Sequence, residues 1–259
     1  ARLIKGIFME FLNISSLKAS VSGTNNGNGE TPNKTKEKIK IFPQYSSYSQ
    51  GEKFQQFTLD VDAAQKKILD DIQNGTITSN EQRAQRHSEM SNMSFDVTGD
   101  EYRTLAGKQN RTPEETQKAM QLYKDGFLKF GTSYTAYLDK KYGNGDGVLT
   151  KEEYISSEMQ DLPKELKEFA NPKDAENVFS HIDINKDGKI SPEEMAAFGS
   201  VLDMSVGLEG DKAGGINGKI KACDMNANMM NMVKSSDTTG GRAMDNKMKT
   251  MHNFLFGEN

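Results

Sequence analysis

The sequence predicts an all-α protein: a pair of helix-loop-helix units, a degenerate helical unit upstream of them, and a disordered N-terminal tail. Three observations carry this prediction. Apolar residues recur at intervals of three and four through several segments, strand signals are almost absent, and four short Asx-Gly loops separate the helical stretches. Composition sets the outer bounds. An apolar share of 34% with no Trp is lean for 259 residues, so part of the chain is expected outside any core. The net charge of −4 gives no basic footprint for nucleic acid. Cys223 is the single cysteine and can form neither an internal disulfide nor a CxxC site. No apolar run reaches the roughly 18 residues that a membrane span needs.

Taken in order, ARLIKGIFMEFLNISSLKAS sets basic residues before a short apolar patch, as a signal peptide does. Glu10 interrupts that patch, no small-residue cleavage site follows, and Met9 offers another start, so the compartment stays open between cytoplasm and export. Residues 1–51 are read as a tail, because from Ser15 onward Ser, Asn, Gly, Thr and Lys dominate and cannot offset their ordering entropy. Residues 52–110 hold the degenerate unit, whose first helix places Phe57, Val61, Ala64, Ile68 and Ile72 on one face and ends near Asn74-Gly75. Residues 111–224 hold the paired units and a flanking loop. Thr112-Pro113-Glu114-Glu115 is a capping box with Pro at the first helical position. Behind it Met120, Tyr123, Phe127, Phe130, Tyr134 and Tyr137 recur to about Lys141. Further helices are expected over Lys151–Asp161, Pro172–Ile182 and Pro192–Asp203, with a linker at Pro163–Pro172. Residues 225–259 are Met-rich. There Met244, Met248, Met251 and Leu255 define an amphipathic helix over Arg242–Phe256, suited to docking in the protein's own groove.

The four loops share Asx-Gly-x-Ile/Leu: NGTI from Asn74, DGVL from Asp146, DGKI from Asp187 and NGKI from Asn217. With each glycine at position six of a twelve-residue loop, position twelve is Glu81, Glu153, Glu194 and Asp224, acidic each time. Calcium chemistry accounts for that spacing. The ion takes about 6–8 oxygens, from side chains at positions 1, 3 and 5, a carbonyl at 7, often a water at 9, and a bidentate carboxylate at 12. Glycine at position six permits the sharp bend.

DINKDGKISPEE, residues 183–194, resembles the EF-hand loop at every position, through Asp183, Asn185, Asp187, the Lys189 carbonyl, Ser191 and Glu194. An Asx-rich turn closed by the capping box Ser191-Pro192-Glu193-Glu194 accounts for its end, but not for the alternating acids. The second loop, 142–153, keeps Asn144, Asp146, the Val148 carbonyl, Thr150 and Glu153 but has Tyr142 at position one. Asp139, three residues earlier, can reach in if the loop bulges. Leu149 and Ile190 are expected to pair as a two-strand contact. The Asp70 loop keeps Asp70, Asn74, Thr78 and Glu81, with Ile72 at position three. The Ala213 loop keeps only Asn217 and Asp224, behind the helix-weakening Gly207 and Gly210, and is read as a vestige pairing Ile220 with Ile77.

What the resemblance implies is calcium-ion binding in a stabilised scaffold or interaction protein. Its rivals are a calcium sensor or buffer with a Met-rich target surface, and an enzyme carrying structural calcium. Protein of this family resembling calmodulin exposes methionines to targets, whereas the 14 methionines here read mainly as core. No HExxH, GxSxG, P-loop or dinucleotide fingerprint is present, and His87, His181 and His252 lie far apart, so no enzyme is expected.

Overall fold

The computed structural model describes residues 50–160, 170–204 and 217–257. The predicted tail, apart from its last two residues, lies outside the described residues, as do Gly207, Gly210 and most of the expected linker. Among the described residues there are nine helices and four short strands. Helix α1 (Gln50–Gln73) leads into α2 (Asn80–Ser91), strand β1 (Ser94–Asp96) and α3 (Asp100–Ala106). Helix α4 (Pro113–Tyr142) then runs into β2 (Leu149–Thr150) and α5 (Lys151–Gln160). The units α6 (Pro172–Ile182), β3 (Lys189–Ile190) and α7 (Pro192–Asp203) follow, and β4 (Lys219–Lys221), α8 (Ala222–Met232) and α9 (Thr239–Phe256) complete the order.

Local chemistry fixes the helix starts. Thr112 and Ser191 each accept from the backbone of a glutamate at N3 whose side chain returns the bond, and Pro113 and Pro192 stand in the first turn. Helix α1 begins at Gln50, inside the stretch assigned to the tail. Gly51 explains the early start: its amide donates to Ser133 Oγ at 2.8 Å, and a Cβ would meet the Ser133 and Tyr134 backbone.

Helices α4 and α7 cross at the centre. A Cβ on Gly131 would collide with the Pro192 carbonyl and the Ala196 amide, and one on Gly199 with the Phe130 ring. These two glycines therefore set how closely the helices approach. Phe54 stacks edge-on to Phe95, Phe130 and Tyr134 at 5.3, 4.8 and 5.0 Å, favourable quadrupole geometries. One continuous core runs from Phe54 to Leu255.

The predicted C-terminal helix forms as α9, from Thr239 instead of Arg242, and buries Met244, Met248, Met251 and Leu255 against α6, α7 and α8. A polar latch joins it to α6. His181 Nδ1 lies 2.6 Å from Asp245 Oδ1, and Nε2 lies 2.7 Å from the Lys234 carbonyl.

The strands pair in a nested order. β2 joins β3 antiparallel with Leu149 opposite Ile190, the contact expected from the sequence. β1 joins β4 with Phe95 opposite Ile220, which corrects the expectation that Ile220 would meet Ile77. Ile77 is buried instead in the turn between α1 and α2, where its amide donates to the Asp71 carbonyl. No helix of the described residues is long and apolar enough to cross a membrane.

Candidate metal centre

The loop 183–194 starts where α6 ends, because Asp183 is the C-cap of that helix. Each ligand-position side chain holds the backbone ahead of it. Asp183 Oδ1 accepts from the Asp187 amide and Oδ2 from the Gly188 amide, both at 3.1 Å. Asn185 Oδ1 accepts from Asp187 N and Asp187 Oδ1 from Lys189 N, each at 2.9 Å. Lys186, at position four, is the one non-glycine residue with positive φ (62°) among the described residues, and Gly188 follows at 84°. That left-handed step costs Lys186 about 1–2 kcal/mol.

Glu194 closes the ring. Its Oε1 accepts from the amides of Ile184 (2.8 Å) and Asn185 (3.2 Å), and its Oε2 from Ser191 N (3.0 Å). Both the ion-loop geometry and the capping box are therefore present at once: the box places the carboxylate at N3, folded back over the loop. Asp183 and Glu194 are 5% and 2% exposed, and their recorded partners are backbone amides alone. No cationic side chain of the described residues pairs with them or with Asp187. Among the described residues no three His, Cys, Asp or Glu side chains converge tightly enough to enclose a metal. The donors nevertheless fit a hard cation: all are oxygens, and a cation beside them would favour buried carboxylates that no side-chain cation of the described residues pairs with. Asp183, Asn185, Asp187, Ser191, Glu194 and the Lys189 carbonyl are the residues that would hold calcium.

The family model described as EF hand matches residues 175–198, from the middle of α6 to the middle of α7. This helix-loop-helix is an EF hand. No curated protein and no solved structure matches the chain.

The second loop repeats the geometry of the EF hand with a different first residue. Asn144 Oδ1 accepts from Asp146 N (2.9 Å), Asp146 Oδ1 from Val148 N (3.1 Å), and Glu153 Oε2 from Thr150 N (2.9 Å). Those pairs correspond to Asn185, Asp187 and Glu194. Tyr142 does not occupy position one: it is the last residue of α4, and its ring packs against the core beneath Lys141. Asp139 does that work from inside the helix, accepting from Gly145 N at 2.8 Å and Gly147 N at 2.7 Å. Gly145 and Gly147, with φ of 82° and 88°, take the two left-handed positions that Lys186 and Gly188 fill in the EF hand. The loop thus runs from Asp139 to Glu153, three residues longer than the twelve counted from Tyr142, with its first acid reaching in from the helix as the bulged alternative expects and the later positions in the expected register. A Cβ on Gly143 would collide with Asp139 Oδ1 and stand 3.0 Å from Glu153 Cδ. The first and last acids meet at that glycine.

The Asp70 loop is built differently. Asp70 lies inside α1 and pairs with Lys66 at 2.7 Å. Asn74 Oδ1 accepts from the amide and hydroxyl of Thr76, an Asx turn. The capping box that opens α2 uses Ser79 and Gln82, so Glu81 stands at N2, fully exposed, with its carboxyl held below the usual range by backbone and Ser79 hydrogen bonds. The amide of Thr78 is bound to Gln82 Oε1. The structure therefore does not gather Asp70, Asn74, Thr78 and Glu81 around one point, and no strand forms at Ile77.

Asp203 is a buried, amide-binding acid that the motif reading missed. Fully buried at the end of α7, it accepts from the amides of Asn217, Gly218 and Lys219 at 2.9–3.2 Å and from the Tyr123 hydroxyl at 3.2 Å. It holds the approach to β4 as Asp183 holds the approach to β3. Burial pushes its carboxyl up to about 7, against the pull of those donors. The one available signal was an aspartate ending a helix whose residues from Met195 to Leu202 are apolar or small.

Proposed function

We propose that the chain is a calcium-braced scaffold, not an enzyme, with ions held at 183–194 and at 139–153 and its surfaces used for interaction. The observation that carries the reading is the pair of buried acids, Asp183 and Glu194, faced by backbone amides and, among the described residues, by no side-chain cation. A bound calcium ion supplies the positive charge that such a ring lacks. The chain's own residues do the rest: Asn185 and Asp187 hold the backbone ahead of them, the left-handed Lys186 and Gly188 close the bend, and Leu149 paired with Ile190 ties the two loops together.

A scaffold is favoured over a sensor because the apolar faces of the paired helices are already covered. Helix α1 lies on α4 and helix α9 on α7 and α6, and the methionines Met195, Met232, Met244, Met248 and Met251 are buried. Among the described residues only Met120 and Leu128 are large, apolar and exposed, too little for a target groove.

A calorimetric calcium titration with magnesium as competitor tests the reading, run beside a hydrophobic-dye measurement. Two bound calcium ions are expected, with a higher melting temperature and an unchanged dye signal. At a hundredfold excess over Kd each site adds about 2.7 kcal/mol. Absence of calcium binding overturns the proposal, and a large calcium-dependent dye response turns it into a sensor.

A further inference from the structure

Helix α7 belongs to two loops at once. Its first turn carries Glu194, whose carboxylate collects the amides of Ile184, Asn185 and Ser191. Its last residue, Asp203, collects the amides of Asn217, Gly218 and Lys219. The two acids are about 13 Å apart along a helix rising ~1.5 Å per residue. Every residue between them is buried, so the body of the helix is held on all sides by the core.

Its midpoint is pinned. The Ala196 backbone lies against Gly131, and Gly199 lies against the Phe130 ring, both so close that a Cβ on either glycine would collide. A stiff rod fixed at its centre, with a hydrogen-bonded carboxylate at each end, transmits a change at one end to the other. Packed interiors respond to such displacements by discrete shifts, not by absorbing them.

We infer that α7 is a lever that couples calcium binding in the loop 183–194 to the β1–β4 sheet, with Glu194 as its sensing end, the Gly131–Gly199 crossing as its fulcrum and Asp203 as its acting end. The inference rests on the reading that 183–194 binds calcium. For Glu194 to face an ion with both oxygens, it must release the amides of Ile184 and Asn185, and that release repositions the first turn of α7. At the far end, Asp203 holds the Asn217, Gly218 and Lys219 amides, and β4 passes the change to β1 through Phe95 opposite Ile220. Asp203 is a positioning residue here, since it touches no position of the ion loop.

Amide hydrogen exchange of the full chain, with calcium and with chelator, tests the lever. Helix α2 serves as an internal reference for any general stabilisation. Calcium is expected to slow exchange at residues 184–191. At Gly218, Lys219 and Phe95 it should slow exchange a further fivefold or more beyond α2, the lower end of typical coupling. Because coupling is reciprocal, Asp203→Asn should weaken calcium binding, by up to the same factor. Tyr123→Phe, which removes one donor to Asp203 and leaves the acid in place, should weaken it less. A response confined to 184–191, with unchanged affinity in both variants, overturns the lever and leaves the calcium site standing. No response at 184–191 overturns the site and the lever together.

Discussion

Replacing Asp139 by Asn separates the longer loop from the twelve-residue register. The carboxylate is 2% exposed and takes two backbone amides, from Gly145 at 2.8 Å and Gly147 at 2.7 Å. An asparagine in the same rotamer offers one carbonyl oxygen, and its NH2 group then faces the other amide. Losing a hydrogen bond to a charged group costs about 1.5–3 kcal/mol. Removing one negative charge from a loop that also holds Asp146 and Glu153 relieves some repulsion, which places the net cost near the lower end. For a chain of this size roughly 2 kcal/mol corresponds to a drop of about 4–8 °C in melting temperature. The assay is thermal unfolding in chelator, paired with a calcium titration. The expected outcome is that lower melting temperature together with loss of one bound ion. Tyr142→Asp should add no ion, because that position ends α4 and its ring packs on the core. An Asp139→Asn protein with unchanged melting temperature and ion count, or a Tyr142→Asp protein with an extra ion, would refute the longer loop.

Three further outcomes are expected. Glu194→Gln should remove most calcium affinity at 183–194, since an amide offers one neutral oxygen where the ion needs two charged ones; titration calorimetry reads the loss. Gly131→Ala should destabilise the fold by about 1–3 kcal/mol, as overpacking does, because its methyl would meet Pro192 and Ala196 backbone atoms; urea unfolding measures it. In chelator, stability should fall as pH rises from about 4 to 7. The Asp203 carboxyl, pushed up to about 7 by burial, sits above the ~3.9 of an unfolded aspartate, so the fold holds more protons than the unfolded chain in that window. Asp62, pushed up to about 7 by burial, acts with the same sign. Asp203→Asn should therefore flatten the slope without abolishing it, and an unchanged slope would exclude Asp203 as a contributor.

The helices were legible because their signals are local. Pro172–Ile182 and Pro192–Asp203 are found at the expected bounds, and both expected capping boxes, at Thr112 and Ser191, are made. The complete loop was equally legible, since its spacing is itself the chemistry. The Asp70 loop misled because four oxygen-bearing side chains at the right offsets do not fix where a helix starts. There the box forms one residue later than at Ser191, with Ser79 and Gln82, and Glu81 is turned outward. The sequence pattern Ser-x-x-Gln carried that information. The partnership of Phe95 with Ile220 was not legible, because three-residue strands show no alternation and their pairing depends on distant packing. Asp203 was hidden for the same reason: the amides it binds begin 14 residues further along the chain.

The nesting of one strand pair inside the other also orders events in time. β2 and β3 lie close in sequence, so their contact can close as soon as α7 has been made. β1 must wait for β4, across the 120 residues that separate Thr98 from its partner Gly218. At about 5–20 residues per second on a ribosome, the edge of β1 stays unmatched for roughly 6–24 s. During that interval Phe95 and the aromatic rings around it have no lid from the C-terminal half. The emerging chain is therefore most open to misassembly just before β4 appears, and a chaperone would find its substrate at the N-terminal half.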